Sequence, residues 1–318
     1  MAATESYQQG FHRRWGHLRR APVRALAWLL DAPDLLDADA APWAGRVATL
    51  DPVTPRVADW LAQLDLDPAP LEAALGARTH TRLGLYAEKL MAFYFGQHGR
   101  LVAHGLQIRA ARNDTVGEFD FLLDAGADGL EHIEFATKFY LLDGAASQQF
   151  DALVGPNLAD SLGLKMRKVF ERQLALGQHP AAQLVLPRPV TRAHALVKGW
   201  LFYPAGSWPA MQGIAAGHCR GFWCALEELD AQPGDDFVIL PKLEWLAPLR
   251  ADSGTPTLAR EQLAASLEAQ FATSGTPLLV AVVRRNGEAI EELERGFIVP
   301  NDWRERAAEV RMVKSVGK

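Results

Sequence analysis

The stretch GEFDFLLDAGADGLEHIEFATKFYLL, residues 117–142, reads as two β-strands joined by a tight turn. Strand side chains alternate between faces with period two. Glu118, Asp120 and Leu122 therefore share one face of the first strand. Phe119, Phe121 and Leu123 share the other, which is fit for burial. The turn AGADG, residues 125–129, has the glycines and aspartate that hairpins favour. In the second strand Ile133, Phe135, Thr137 and Phe139 face one way; Glu134, Ala136 and Lys138 face the other. A turn near 126–129 then brings Asp120 and Glu134 onto the same face of adjacent strands. Two carboxylates held close repel unless a cation lies between them. Hard oxygen ligands of this kind suit Mg²⁺ or Mn²⁺. The competing reading is the wet face of a half-covered sheet. It is the preferred one for Glu118, a second candidate ligand. Glu134 and Lys138 argue against it, since they lie among aromatic residues and a buried charge needs a partner.

Outward from this hairpin the chain alternates helices and strands. Upstream, RLGLYAEKLMAFYF predicts an amphipathic helix over 82–96 bearing Glu88, and LVAHGLQIRA a strand near 101–109. Strands are expected at 116–123 and 131–140. Downstream, the segment starting at Ser147 begins as a polar loop. A helix follows from about 159 to 176, with Asn157 or Asp160 as cap. Lys165, Lys168 and Arg172 fall at spacings of three and four on one helix face, with Gln173 beside them. AHALVKGWLFY, 193–203, is a further strand.

Residues 1–80 read as helices punctuated by prolines: VRALAWLLDAPDLL, PRVADWLAQLDL and PLEAALGA. In the last third GFWCALEEL, DFVILPKLEWLAP and PLLVAVVRR are candidate strands, with a helix through LAREQLAASLEAQF. EAIEELER fits helix or strand. Loops are expected near 204–217 and 251–257. The fold class is thus α/β, a mixed central sheet flanked by helices. It divides into a helical segment (1–80), a core (81–205) and a strand-rich α+β extension (206–318).

Helix with Glu88, strand, strand with G-E-x-D, strand with a glutamate and a lysine, then helix: this order resembles the PD-(D/E)XK nuclease core. The resemblance implies a restriction-endonuclease-like core over residues 82 to about 175. It implies Asp120 and Glu134 as metal ligands, Glu88 as a ligand from the helix, and Lys138 as the catalytic cation. It also implies contacts to substrate or metal water from Lys165 and Gln173 on the helix after the third strand. More closely, GEFDFLL, the E-x-A-x-K-F-Y-L run, VGPN and ERGFIVP resemble an uncharacterised bacterial family, domain of unknown function 1853, over most of the chain. One departure stands out. The superfamily places its lysine two residues after the glutamate, where this chain has Ala136; Lys138 is four residues on. Four strand residues span about 13 Å and two about 7 Å. A bulge would shorten the reach, or Lys165 or Lys168 would supply the cation. The implied activity is metal-dependent hydrolysis of DNA or, second, RNA. The alternative is a catalytically silent nuclease fold that binds nucleic acid or protein.

Composition sets the remaining bounds. A chain of 318 residues, 49% hydrophobic and 22% charged, is neither disordered nor fibrous. A net charge of −5 excludes a generally basic nucleic-acid binder. Charge is uneven, however: between 161 and 205 Lys165, Arg167, Lys168, Arg172, Arg188, Arg192 and Lys198 face Glu171 alone. Such a basic patch can serve phosphate contacts to DNA or RNA. Cys219 and Cys224 have no second pair and do not support zinc. No segment reaches the ~20 apolar residues of a membrane helix, and no signal peptide is read; a soluble cytoplasmic protein is expected. His132 reads as an edge or solvent histidine. Trp200, Phe202, Trp208, Trp223 and Trp245 read as core rather than as a base-stacking surface.

Overall fold

The computed structural model describes residues 5–77, 80–111, 114–144, 150–204 and 208–316. Helices α1 (Tyr7–Trp15), α2 (Ala21–Asp31), α3 (Pro55–Leu66), α4 (Ala69–Leu75) and α5 (Leu83–Gln97) come first. The meander β1 (Leu101–Ala111), β2 (Asp114–Asp124) and β3 (Leu130–Leu142) follows, with the short β4 (Leu153–Val154). Then come α6 (Leu162–Glu171), α7 (Pro180–Gln183), β5 (Val190–Tyr203), β6 (Cys219–Ala225), β7 (Asp236–Ile239), β8 (Arg250–Asp252) and β9 (Leu258–Ala259). The chain closes with α8 (Arg260–Thr273), β10 (Leu278–Asn286), β11 (Ala289–Val299) and α9 (Trp303–Val316). The expected polar residues 147–149, and 205–207 of the loop expected at 204–217, lie outside the described residues.

Among the described residues one sheet of eleven strands joins the second and third segments of the chain. Its order is β1-β2-β3-β5-β6-β11-β10-β7-β9, with β4 paired to β3 and β8 to β11. The β1–β2 and β2–β3 pairs are antiparallel; β3–β5, β5–β6 and β6–β11 are parallel. A parallel centre is covered on both faces, so its strands lose the apolar-polar alternation. In β5 every residue from Ala195 to Tyr203 is buried, Lys198 and Gly199 included.

One face of the sheet is covered by the N-terminal helices. Trp28 of α2 stacks on Trp200 of β5, ring centroids 6.3 Å apart and planes within 7°. The other face carries α6, whose Leu162, Met166 and Val169 pack with Ala136 and Tyr140 of β3. Beyond the parallel centre, Leu263 and Leu267 of α8 pack against Phe237 and Val280.

The hairpin forms as its pattern predicts. Phe121 pairs with Ile133 and Leu122 with His132, and Gly126 and Gly129 both adopt positive φ in the turn. Gly199 faces Lys138 across the parallel pair. A Cβ there would lie 2.0 Å from the Lys138 carbonyl oxygen, so only glycine permits this approach.

Several expected boundaries shift for local reasons. The helix expected at 23–36 ends at Asp31 because Pro33 lies just beyond. The helix expected at 159–176 is shorter: Ser161, not Asn157 or Asp160, accepts the Leu164 N–H as cap. After Glu171 the chain tightens into a 3₁₀ segment, Gln173–Gln178. Arg172, the cap at its start, therefore leaves the regular helical row of Lys165 and Lys168. Only Asp236–Ile239 of the run before Pro241 is strand, and EAIEELER, after Glu288 in the turn, falls within β11. Phe119 packs with Leu122 and Ile108, whereas Phe121 and Leu123 join the larger core, so strict alternation fails around Asp120.

Candidate functional site

Asp120 stands where β2 and β3 part. Regular pairing ends at Phe121–Ile133, and the Asp120 carboxylate accepts the Phe135 N–H at 2.9 Å in place of a ladder bond. Continuing the register puts Glu134 opposite. On β3, Glu134, Ala136 and Lys138 all line one cavity of about 380 Å³, together with Asp120, Glu88 from α5, and Lys165 and Gln173 from the segment after β4. Glu88 reaches the cavity because Tyr86, Ala87, Leu90 and Met91 of the same helix are buried in the core. The sequence-proposed residues Glu88, Asp120, Glu134, Lys138, Lys165 and Gln173 are thus brought together. Lys168 and Arg172 are exposed and lie outside the cavity wall.

The carboxylates are crowded: Glu134 is buried, and Asp120 and Glu88 are half-buried. Burial, then the neighbouring Glu134, pushes the Asp120 carboxyl well above the ordinary carboxylate range; the Phe135 N–H opposes the shift. Burial raises Glu134 as well, opposed chiefly by the Lys165 and Lys168 ammonium groups. Gln173 donates to Glu134 Oε1. The other oxygen, Oε2, is buried with no hydrogen-bond partner among the described residues and lies 3.7 Å from His132 Nε2. His132 is no edge or solvent histidine: it is fully buried, edge-on to Phe119, with both ring nitrogens unpartnered among the described residues. Burial lowers its pKa to about 4, so it is neutral at pH 7. Lys138 is lowered to about 8 by burial and then by Lys165, while Asp160 and Glu134 support its charge.

A second acidic group adjoins the first. Single oxygens of Glu88, Glu118 and Asp120 all lie within 4.8 Å of one another. Glu118, read from sequence as a solvated side chain, is held by the Gln107 amide at 3.2 Å. His104 Nε2 lies 2.8 Å from Glu88 Oε1. Asp120 belongs to both groups, beside Glu134 on β3 and beside Glu88 and Glu118 toward β1. Gly105 of β1 has φ +61°, and a Cβ there would come to 3.5 Å from a Glu118 oxygen. His104, Gln107 and Gly105 carry no signal in sequence; they become visible only when β1 is laid against β2.

These donors fit a divalent cation of the Mg²⁺ class. All are oxygens, and Mg²⁺ binds such ligands at about 2.1 Å, which sets two of them within about 4.2 Å. A small inward movement or a bridging water closes the 4.8 Å set. The unpartnered Glu134 Oε2 offers a further lone pair at the same cavity.

Three cations of the 161–205 segment are already paired, Arg167 and Arg188 at the surface and Lys198 in the interior. Arg167 pairs with Asp151 at 3.0 Å and Arg188 with Asp124 at 2.9 Å. Lys198 is buried, 2.7 Å from Asp34 and 2.6 Å from the Ala32 carbonyl oxygen. Among the aromatics, Trp200, Phe202 and Trp223 are core, Trp245 is half-buried, and Trp208 is 59% exposed, contrary to its core reading.

Among the described residues no helix is long and apolar enough to cross a membrane. No curated protein and no solved structure matches the chain. The family profile described as domain of unknown function (DUF1853) matches residues 24–299, nearly the whole chain from α2 to the end of β11. The chain belongs to the DUF1853 family.

Proposed function

We propose that the chain is a metal-dependent phosphodiesterase of the restriction-endonuclease-like type, acting on a nucleic acid. The observation that carries this reading is the shared cavity: Glu88, Asp120 and Glu134 meet there with Lys138, Lys165 and Gln173. The order α5, β1, β2, β3, α6, β5, with β3 parallel to β5, supports it as the arrangement expected of that core.

Asp120, Glu88 and Glu118 would hold a Mg²⁺ or Mn²⁺ ion, with Glu134 as a further ligand. When bound, that ion would supply Lewis-acid activation of water and neutralise charge growing on the phosphate. Gln173 donates to one oxygen of Glu134 and orients its carboxylate, and the His132 ring lies 3.7 Å from the other. Lys165 takes the part of the missing lysine. It lines the cavity from α6 and is the foremost electrostatic support of ionised Glu134. Lys138, on the same strand face but farther along, sits where the phosphate of a bound strand would leave the site. The cation thus comes from the helix, and Ala136 stays small at 7% exposure beneath it.

The test is a screen for nicking of plasmid, single-stranded DNA and RNA in Mg²⁺ and Mn²⁺. Asp120→Ala and Glu134→Ala are expected to abolish cleavage; activity that persists in both variants sinks the assignment. Ala136 at the lysine position favours a second reading, a silent nuclease fold that only binds. Nucleic-acid binding without cleavage in any metal would establish that one.

A further inference from the structure

We infer that the substrate is an unpaired polynucleotide strand, and that the nucleotide next to the scissile phosphate lies in a second cavity adjoining the carboxylate site. This rests on the phosphodiesterase reading above. The second cavity, about 310 Å³, shares Arg82, Gly84, Thr137 and Lys138 with the first. The two therefore form one groove with Lys138 on the divide.

Their chemistry differs in the way a cleaved strand requires. The first cavity sets the carboxylates Glu88, Asp120 and Glu134 against Arg82, Lys138 and Lys165, and its three carboxylates suit a cation. The second is lined by three cations, Arg82, Lys138 and Lys242, against one carboxylate, Asp160, which is already engaged by the Tyr140 hydroxyl at 2.9 Å. The positive charges suit a phosphate one nucleotide along the chain. Phe139 and Trp245 form the apolar wall, and the Lys242 ammonium sits 6.0 Å from the Trp245 ring centroid. Cation and aromatic side by side are what a nucleotide presents partners for: phosphate to the ammonium, base or sugar to the ring.

A duplex fits this arrangement poorly. A base can enter a recess only if it leaves its stack, and a paired base does so at a cost of a few kcal/mol. A duplex also presents two phosphate tracks and needs a broad basic face. Here the net charge is −5, Lys198 is buried against Asp34, and Arg167 and Arg188 are already paired at the surface with Asp151 and Asp124. One short cationic groove serves one strand.

The experiment measures fluorescence anisotropy of a labelled twelve-residue oligodeoxynucleotide, the matching oligoribonucleotide, and each annealed to its complement. The full-length Asp120→Asn protein in chelator is titrated at several salt concentrations, so that binding is read without cleavage. Single strands are expected to bind at least tenfold more tightly than duplexes. Lys242→Ala and Arg82→Ala, both at exposed positions, are expected to weaken that binding about three- to tenfold. Each is expected to flatten the salt dependence by about 0.7 in log–log slope, the value of one lost single-strand phosphate contact. Equal affinity for duplex, or unchanged affinity and slope in both variants, overturns the inference. The outcomes separate from those of the catalytic reading. Strand-selective binding with no cleavage by wild type in Mn²⁺ supports the groove and removes the enzyme. Cleavage of duplex untouched by Lys242→Ala keeps the enzyme and removes the groove.

Discussion

Glu134→Gln should make the metal-free protein more stable, not less. Glu134 is buried, Asp120 is half-buried, and the two face each other across the parting strands. Opposed strand residues hold their Cβ atoms about 5 Å apart. Two unit charges at about that separation repel by about 3 kcal/mol at an effective dielectric of about 20. Both carboxyls are raised above their ordinary range, so the folded state holds protons that the unfolded chain releases. Wild-type stability therefore falls as pH rises from the ordinary carboxylate range through the folded pKa values. Glutamine keeps the shape, still accepts from Gln173, and offers an N–H toward Asp120. In chelator at pH 8 the variant is expected to gain about 3 kcal/mol, or about 5 °C in Tm for a chain of this size. The gain should shrink toward pH 5, where the wild-type pair is protonated. Metal inverts the comparison: at about 100 times Kd, Mn²⁺ would add about 2.7 kcal/mol to wild type and much less to the variant. The assay is thermal unfolding across pH, with and without Mn²⁺. A variant that is less stable than wild type at every pH in chelator, or equally stabilised by Mn²⁺, would refute the idea of a strained nest awaiting a cation.

Lys165→Ala should lower single-turnover cleavage about 10²- to 10³-fold, the usual cost of losing one charge-stabilising donor, with less effect from Lys168→Ala because Lys168 lies outside the cavity wall. Lys138 titrates near 8, so its cationic contact disappears as pH rises past that value; cleavage rate should fall along that alkaline limb, and Lys138→Arg should move the limb upward. His132, with a pKa lowered to about 4, contributes stability present above its unfolded value near 6.5 and lost as pH falls toward 4; His132→Phe should recover about 3 kcal/mol at pH 4 in acid unfolding, while weakening Mn²⁺ binding because Glu134 loses its neighbour. Gly199→Ala should reduce stability by at least about 2 kcal/mol in denaturant melts, since backbone rather than a pliant side chain meets the new Cβ.

The hairpin was legible because period two is a property of the strand itself. The turn glycines, the Phe121 and Ile133 face and the Glu134 and Lys138 face all follow from residues 117–142. The helix around Lys165 was legible only as helix. Its end depends on Leu174 and Leu176 turning back into the cores under β3 and β2, a tertiary demand with no local signal. That early tightening brings Gln173 to Glu134. His132 was misread for a related reason. Its polarity suggests solvent, but its place opposite Leu122 in a closed sheet leaves it no water. Glu118 was undervalued, and His104 left unread, because the proximity that matters runs across β1 and β2, where one strand's sequence says nothing of the register.

The lysine position shows why spacing along one strand is a poor guide to a site built in three dimensions. Ala136 lines the cavity and also shares a packed cluster with Leu162, Met166 and Val169 of α6, so a lysine at position 136 would crowd that helix at the cavity wall. Ala136 lets α6 lie close, and closeness is what carries Lys165 to the cavity. The helix and the small residue are therefore one arrangement: the cation has moved from the strand to the element that the strand's own vacancy admits. Ala136→Lys should then fail to improve catalysis. It would push α6 and Lys165 away from Glu134 and bury a second ammonium beside Lys138. A more active Ala136→Lys protein with an unchanged melting temperature would show instead that the strand position was simply empty, and that Lys165 does not serve in its place.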